Sequence, residues 1–172
     1  MDFFVEQLVK RKRTSSDYVK VIICLIAAVV IVAVMLVSIV TVISPFVFLI
    51  GILLILFLNK LRETINVEYE YCFTNGALDV DKIIAANRRG RMVDINAREI
   101  ELMGTRKNPD FRRYLEDRGI EKVYACSSVD GDNVCFVIYD ADGKRKMLLF
   151  SPNDKIKEGF ARYNPRKVNL DD

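Results

Sequence analysis

From Val21 to Leu58 the chain carries no Asp, Glu, Lys or Arg, and most positions are apolar. Built as one straight helix, this run would extend roughly 57 Å at 1.5 Å per residue, against a hydrocarbon core of about 30 Å. It is too long for one crossing and fits two short ones. Ser44-Pro45 marks the break, because serine is a good N-cap and proline is favoured at the first helical position. The pattern predicts a first helix near Tyr18–Ile43 and a second near Pro45–Leu61, with Asn59, Lys60 and Arg62 at the membrane interface. Upstream, Met1, Phe4, Val5 and Leu8 recur at helical spacing beside Asp2, Glu6 and Gln7, which predicts a short helix lying on the inner leaflet.

Beyond Arg62 the period changes to two. Val67, Tyr69, Tyr71 and Phe73 alternate with Glu68, Glu70, Cys72 and Thr74; Asn75-Gly76 then gives a hairpin turn into Leu78 and Val80. Arg88-Arg89-Gly90 reads as the next turn, leading to a strand over Arg91–Ile95 and another over Ala97–Met103. Pro109–Arg118 reads as a short helix, with Phe111 and Leu115 on one face and Gly119 closing it. Three further strands follow over Lys122–Ser128, Asn133–Asp140 and Lys144–Ser151, with Gly131 and Gly143 at the turns. Ser151-Pro152 opens a closing helix with Ile156, Phe160 and Tyr163 on one side, stopped by Pro165. About seven antiparallel strands with a helix over one open end make an α+β barrel or sandwich.

Charge sets the orientation. Lys10, Arg11, Lys12, Arg13 and Lys20 precede the apolar hairpin, Lys60 and Arg62 follow it, and the connecting turn carries none, so the positive-inside rule places both termini in the cytoplasm. The run far exceeds the 7–15 residues of a signal-peptide core. The expected organisation is a basic cytoplasmic segment over residues 1–17, a multi-pass transmembrane hairpin over 18–62 and a cytoplasmic domain over 63–172. The net charge is +3 and its excess is local to the N-terminus, which argues against a nucleic-acid partner.

Candidate chemistry is sparse. The absence of histidine removes Ser-His and Cys-His nucleophiles and histidine-ligated zinc. Cys24, Cys72, Cys126 and Cys135 show no C-x-x-C spacing and read as reduced thiols. Asp130-Gly131-Asp132 and Asp140-Ala141-Asp142-Gly143 echo a calcium loop, yet the bidentate glutamate at loop position 12 is missing, and Asp and Gly are what a hairpin turn requires. Lys144, Arg145 and Lys146 read as solvating a strand edge. Arg88, Arg89, Arg91 and Arg98 form the densest basic group in the domain and are the candidate contact for anionic lipid or an acidic partner. No residue stands out as catalytic, metal-ligating or cofactor-binding.

The stretch Glu70-Tyr71-Cys72-Phe73-Thr74-Asn75-Gly76-Ala77-Leu78-Asp79-Val80, followed by Arg88-Arg89-Gly90-Arg91, Ile95 and Ile100, resembles bacterial PH-like domains tethered to membrane helices. The whole chain, with its basic start, apolar hairpin and closing Tyr163-Asn164-Pro165-Arg166-Lys167-Val168, resembles a domain-of-unknown-function family of small bacterial membrane proteins. The resemblance implies a PH-like fold and brings no catalytic residues. The expected function is a non-enzymatic, membrane-anchored binding or scaffold module, with the bilayer and a protein partner or second copy as its partners. The alternatives are a lipid-surface sensor using Arg88–Arg91 and an accessory subunit of a membrane complex.

Overall fold

A computed structural model describes residues 2–40, 44–63 and 65–170. The elements are β1 (Phe4–Lys10), α1 (Ser15–Val37) with a 3-10 turn over Ser38–Val40, α2 (Ser44–Glu63), β2 (Val67–Thr74), β3 (Ala77–Ile84), β4 (Arg88–Asn96), β5 (Leu102–Thr105), α3 (Asp110–Glu116), β6 (Glu121–Ala125), β7 (Cys135–Ala141), β8 (Lys144–Phe150), α4 (Asp154–Tyr163) and β9 (Val168–Asn169). They fall into two compact units: Met1–Lys12 with Glu68–Asp172, and Arg13–Val67.

The second unit holds two helices that are long and apolar enough to cross a membrane, Ser15–Val37 and Pro45–Glu63. The first starts earlier than its apolar run, because the Asp17 carboxylate accepts from the Thr14 backbone N–H at 3.0 Å and closes the first turn. The two helices pack closely where α2 has no side chain: a β-carbon at Gly51 would fall 2.5 Å from Met35 Sδ. The residues joining them, including the expected end of the first helix at Ile43, lie outside the described residues.

The other unit is a sandwich of two sheets. One has the order β1-β2-β3-β4, the other β6-β8-β7-β5-β9. The alternating apolar positions of β2 make one inner face, with Tyr71 and Phe73 fully buried, and Cys135, Val137, Leu148 and Phe150 of β7 and β8 supply the other, while Phe136, Ile138, Met147 and Leu149 point to the opposite face and pack with Phe111 and Tyr114 of α3. The amphipathic helix α4 fills the junction. Its Phe160 ring lies 5.0 Å from Phe73 of one sheet and 6.1 Å from Phe150 of the other. Gly159 lets the helix approach, since a β-carbon there would stand 2.7 Å from the Phe73 ring. The barrel is not closed, and an open sandwich is the fold. It has nine strands among the described residues rather than seven, and two pairings, β6 with β8 and β5 with β9, are parallel rather than antiparallel.

Four local readings change. The N-terminal stretch is not an interfacial helix but strand β1, paired with β2 from Phe4↔Thr74 to Lys10↔Glu68. Val5, Gln7 and Val9 face inward, and Gln7 is held there by long-range bonds: its Nε2 donates to the Ser151 carbonyl at 2.9 Å and its Oε1 accepts from Asn153 N–H at 2.7 Å. Residues 1–12 thus belong with the C-terminal domain, and the apolar helices are spliced between two neighbouring strands of one sheet.

Arg88-Arg89-Gly90 is not a turn but the start of β4; the turn is Ala85-Ala86-Asn87. Ala97–Glu99 is a turn rather than a strand, and β5 starts only at Leu102. Lys144–Lys146 lie on β8, which is interior to its sheet, and there Arg145 pairs with Glu101 at 3.0 Å and Lys146 with Glu121 at 3.7 Å.

Ala85 and Ala86 adopt φ of 54° and 58°, a left-handed conformation that costs an L-residue with a β-carbon roughly 1–2 kcal/mol. Replacing them by Asn-Gly, the pair that this backbone favours, is expected to raise stability by about 1–2 kcal/mol, read as a higher urea midpoint.

Burial also sets the alkaline limit. It pushes the hydroxyl pKa of Tyr69 and Tyr71 up, and that of Tyr139 up to about 12, where the Glu121 and Asp142 carboxylates add to the effect. A group raised in the folded state stabilises fully below its unfolded pKa of 10.0 and loses that contribution as pH climbs through the folded value. The thermal midpoint should therefore hold below pH 10 and fall above it. Tyrosinate absorbance of the folded protein should keep rising above the range of a free tyrosine, whose pKa is 10.0, and reach that of all seven tyrosines only as the protein unfolds; full titration within the free-tyrosine range while the protein stays folded would contradict this.

Candidate functional site

The arginines singled out in the sequence separate into three environments. Arg89 and Arg91 stand on the outer face of the β1–β4 sheet among carboxylates. Arg89 reaches Glu70 at 2.7 Å and Asp81 at 4.0 Å, and Arg91 reaches Asp79 at 3.5 Å, Asp81 at 3.7 Å and Asp94 at 3.9 Å. Glu6 and Cys72 complete a shallow 280 Å3 depression here. Its carboxylates outnumber its guanidinium groups, so Arg89 and Arg91 serve the sheet's own charge balance more than an external anion. Arg88 opens β4 opposite Ile84, at the tip of the hairpin. Arg98 is remote from this group in the fold: it lies in the turn after β4, with its guanidinium 5.5 Å from the centre of the Tyr163 ring.

The residues flanking the apolar hairpin also divide. Lys10 is on β1 and pairs with Glu68 at 3.2 Å. Arg11 follows it and lowers the Tyr69 pKa that burial raises. Lys12 N–H donates to the Ser127 carbonyl at 2.8 Å. Arg13 donates to Asn66 Oδ1 at 2.9 Å, and Lys20 lies 3.9 Å from Asp17. Lys60 and Arg62 occupy the last turn of α2, where cations suit the helix dipole.

A second concavity, larger than that depression, was not legible in the sequence. A polar cleft of 550 Å3 lies between the end of β1, the loop 127–133 and the start of α4. Gln7 and Val9 enter from β1, Ser127 and Ser128 follow β6, Asn133 precedes β7, and Ser151, Pro152 and Asn153 lead into α4. Asn153 is fixed as the helix N-cap, accepting from Ile156 N–H at 2.9 Å, and Gln7 ties β1 to the same segment. Lys12, Asp132, Asp154 and Lys157 bring two charges of each sign, and Lys157 pairs with Asp154 at 3.3 Å. Hydroxyls, amides and balanced charge suit the binding of a polar segment. The volume falls within the range of roughly 300–1,000 Å3 usual for ligand clefts. No cysteine lines it.

The remaining sequence features serve structure. Asp142 and Gly143, at φ of 54° and 70°, form the β7–β8 turn, and Asp130 pairs with Arg106 at 3.0 Å. Cys126 and Cys135 are buried, and burial pushes the Cys126 thiol pKa further up, away from the reactive thiolate.

A family model described as a bacterial PH-like domain (DUF6106) matches residues 1–170, spanning both the apolar helices and the sandwich. Neither a curated protein nor a solved structure matches the chain.

Proposed function

The chain belongs to the DUF6106 family of bacterial PH-like domains, and from that premise we propose that it is a membrane-anchored, non-enzymatic binding or scaffold module. Its domain works at the cytoplasmic face of the membrane and presents the polar cleft to a protein partner. The observation that carries the reading is the splice: the two apolar helices interrupt the connection between paired strands β1 and β2. Because Lys10 and Glu68 face each other in one sheet, the excursion between them has to return to the side it left, which demands an even number of crossings. The flanking Lys and Arg residues then favour the cytoplasm for both ends.

A binding role suits the cleft better than catalysis. Its lining supplies hydroxyl, amide and paired charged groups, and the chain contains no histidine to act as a base. A photo-crosslinking side chain at Asn133 or Lys157, in the intact protein in its own membrane, should yield a discrete protein adduct. The same side chain at Arg118, which does not line the cleft, should not. Equal capture from all three positions, or from none, would contradict the assignment of the cleft.

A further inference from the structure

We propose that the turn between β3 and β4 is a second membrane contact, whose apolar tip Ile84-Ala85-Ala86 enters the headgroup region of the bilayer. The inference rests on the anchor reading above and adds a separate surface to it. Strand direction places the turn. β1, β2, β3 and β4 are neighbours in sequence and in the sheet, joined at β2–β3 by the short turn Asn75-Gly76, so successive turns alternate between its two ends. Ala85–Asn87 is therefore at the end where Lys10 faces Glu68, where the chain leaves for the apolar helices and comes back.

The composition of this turn opposes its backbone. Two successive left-handed residues call for Asn or Gly, and the opposite end of the same sheet has Asn75-Gly76 at φ of 49° and 100°. The near end has Ala-Ala instead, preceded by Ile83 and Ile84. A turn in water gains nothing from that choice, whereas a tip in the interfacial region does, and strained backbone kept against propensity is a marker of function. Charge at this end agrees. Lys82 and Arg88 flank the tip, and Lys10, Arg11 and Lys12 lie at the same end of the sheet, complementary to anionic lipid phosphates. With Arg89 and Arg91 engaged by carboxylates, the contact draws mainly on apolar insertion, so its dependence on anionic lipid is shallow.

The test uses the full chain in mixed phosphatidylcholine–phosphatidylglycerol vesicles containing nitroxide-bearing lipid. A fluorophore is attached at one cysteine at a time: native Cys24 in α1, Ala77→Cys at the far end of the sheet, or Asn87→Cys at the tip, each with the other accessible thiols replaced by serine. Quenching at position 87 is expected to exceed that at 77 by roughly twofold or more. Introducing Ala85→Asn with Ala86→Gly beside the label should bring it down towards the value at 77, although that pair relaxes the turn. Quenching at Cys24 without an excess at 87, or an excess that the Asn-Gly pair leaves unchanged, overturns the tip contact and leaves the anchor standing. Absence of quenching at Cys24 overturns the anchor itself.

Discussion

Excising residues 13–66 and closing the gap with Asn-Gly is expected to give a soluble, folded domain, whereas deleting residues 1–66 is expected to leave a fragment that unfolds readily and aggregates. The two products differ by β1. That strand buries Val9 against the core, and its Gln7 occupies both the Ser151 carbonyl and the Asn153 N–H at the entry to α4. Losing one buried valine costs about 1.5–3 kcal/mol, and each buried polar group left without a partner costs roughly 1–3 kcal/mol more. A total above about 3 kcal/mol is a large share of the 5–15 kcal/mol that holds a typical domain. The deletion also uncovers one edge of β2, an invitation to strand-to-strand association. Circular dichroism and urea midpoints of the two products check this; equal stability would show that β1 is dispensable.

Phe160→Ala should be the most damaging single truncation, at roughly 3–5 kcal/mol, because the ring is fully buried and touches both sheets. Without it α4 loses its bridge, and Phe73 and Phe150 face a cavity. Tyr124→Ala is the matched control, since Tyr124 sits on β6 with 46 % of its surface exposed and should move stability by no more than about 0.5 kcal/mol. A comparable loss for both variants would mean that the junction is not where the core is concentrated.

Physical locality explains what the sequence disclosed. β2, its Asn75-Gly76 turn and β3 were legible because alternation and turn chemistry are properties of neighbouring residues, and the same holds for β7, β8 and the apolar face of α4. β1 was misread for a specific reason. Phe4 and Leu8 are four apart and imitate a helical stripe, yet both point outward, while the inward row of Val5, Gln7 and Val9 is broken by a polar residue. Gln7 is tolerated inside only because residues 151 and 153, far along the chain, satisfy its amide. The start of β4 hid in the same way, since Arg88-Arg89-Gly90 looks like a solvated turn until Glu70 and Asp81 are placed beside Arg89.

The cleft was invisible for a related reason. It takes side chains from three separated segments, none of which forms a motif alone. Parallel pairing of β9 with β5 likewise depends on where the chain returns after α4. The two apolar helices, in contrast, announce themselves by composition, but their position inside a β-hairpin follows only from the pairing of β1 with β2.

Side-specific labelling of single cysteines in intact cells, with a membrane-impermeant thiol reagent, tests the splice most directly. Cysteines at Phe4 and Ala77 should both stay unlabelled until the cells are permeabilised, and one at Ser38, at the end of the first apolar helix, should label from outside. Reaction of positions 4 and 77 from opposite sides would part β1 from β2 across the bilayer and contradict the spliced anchor.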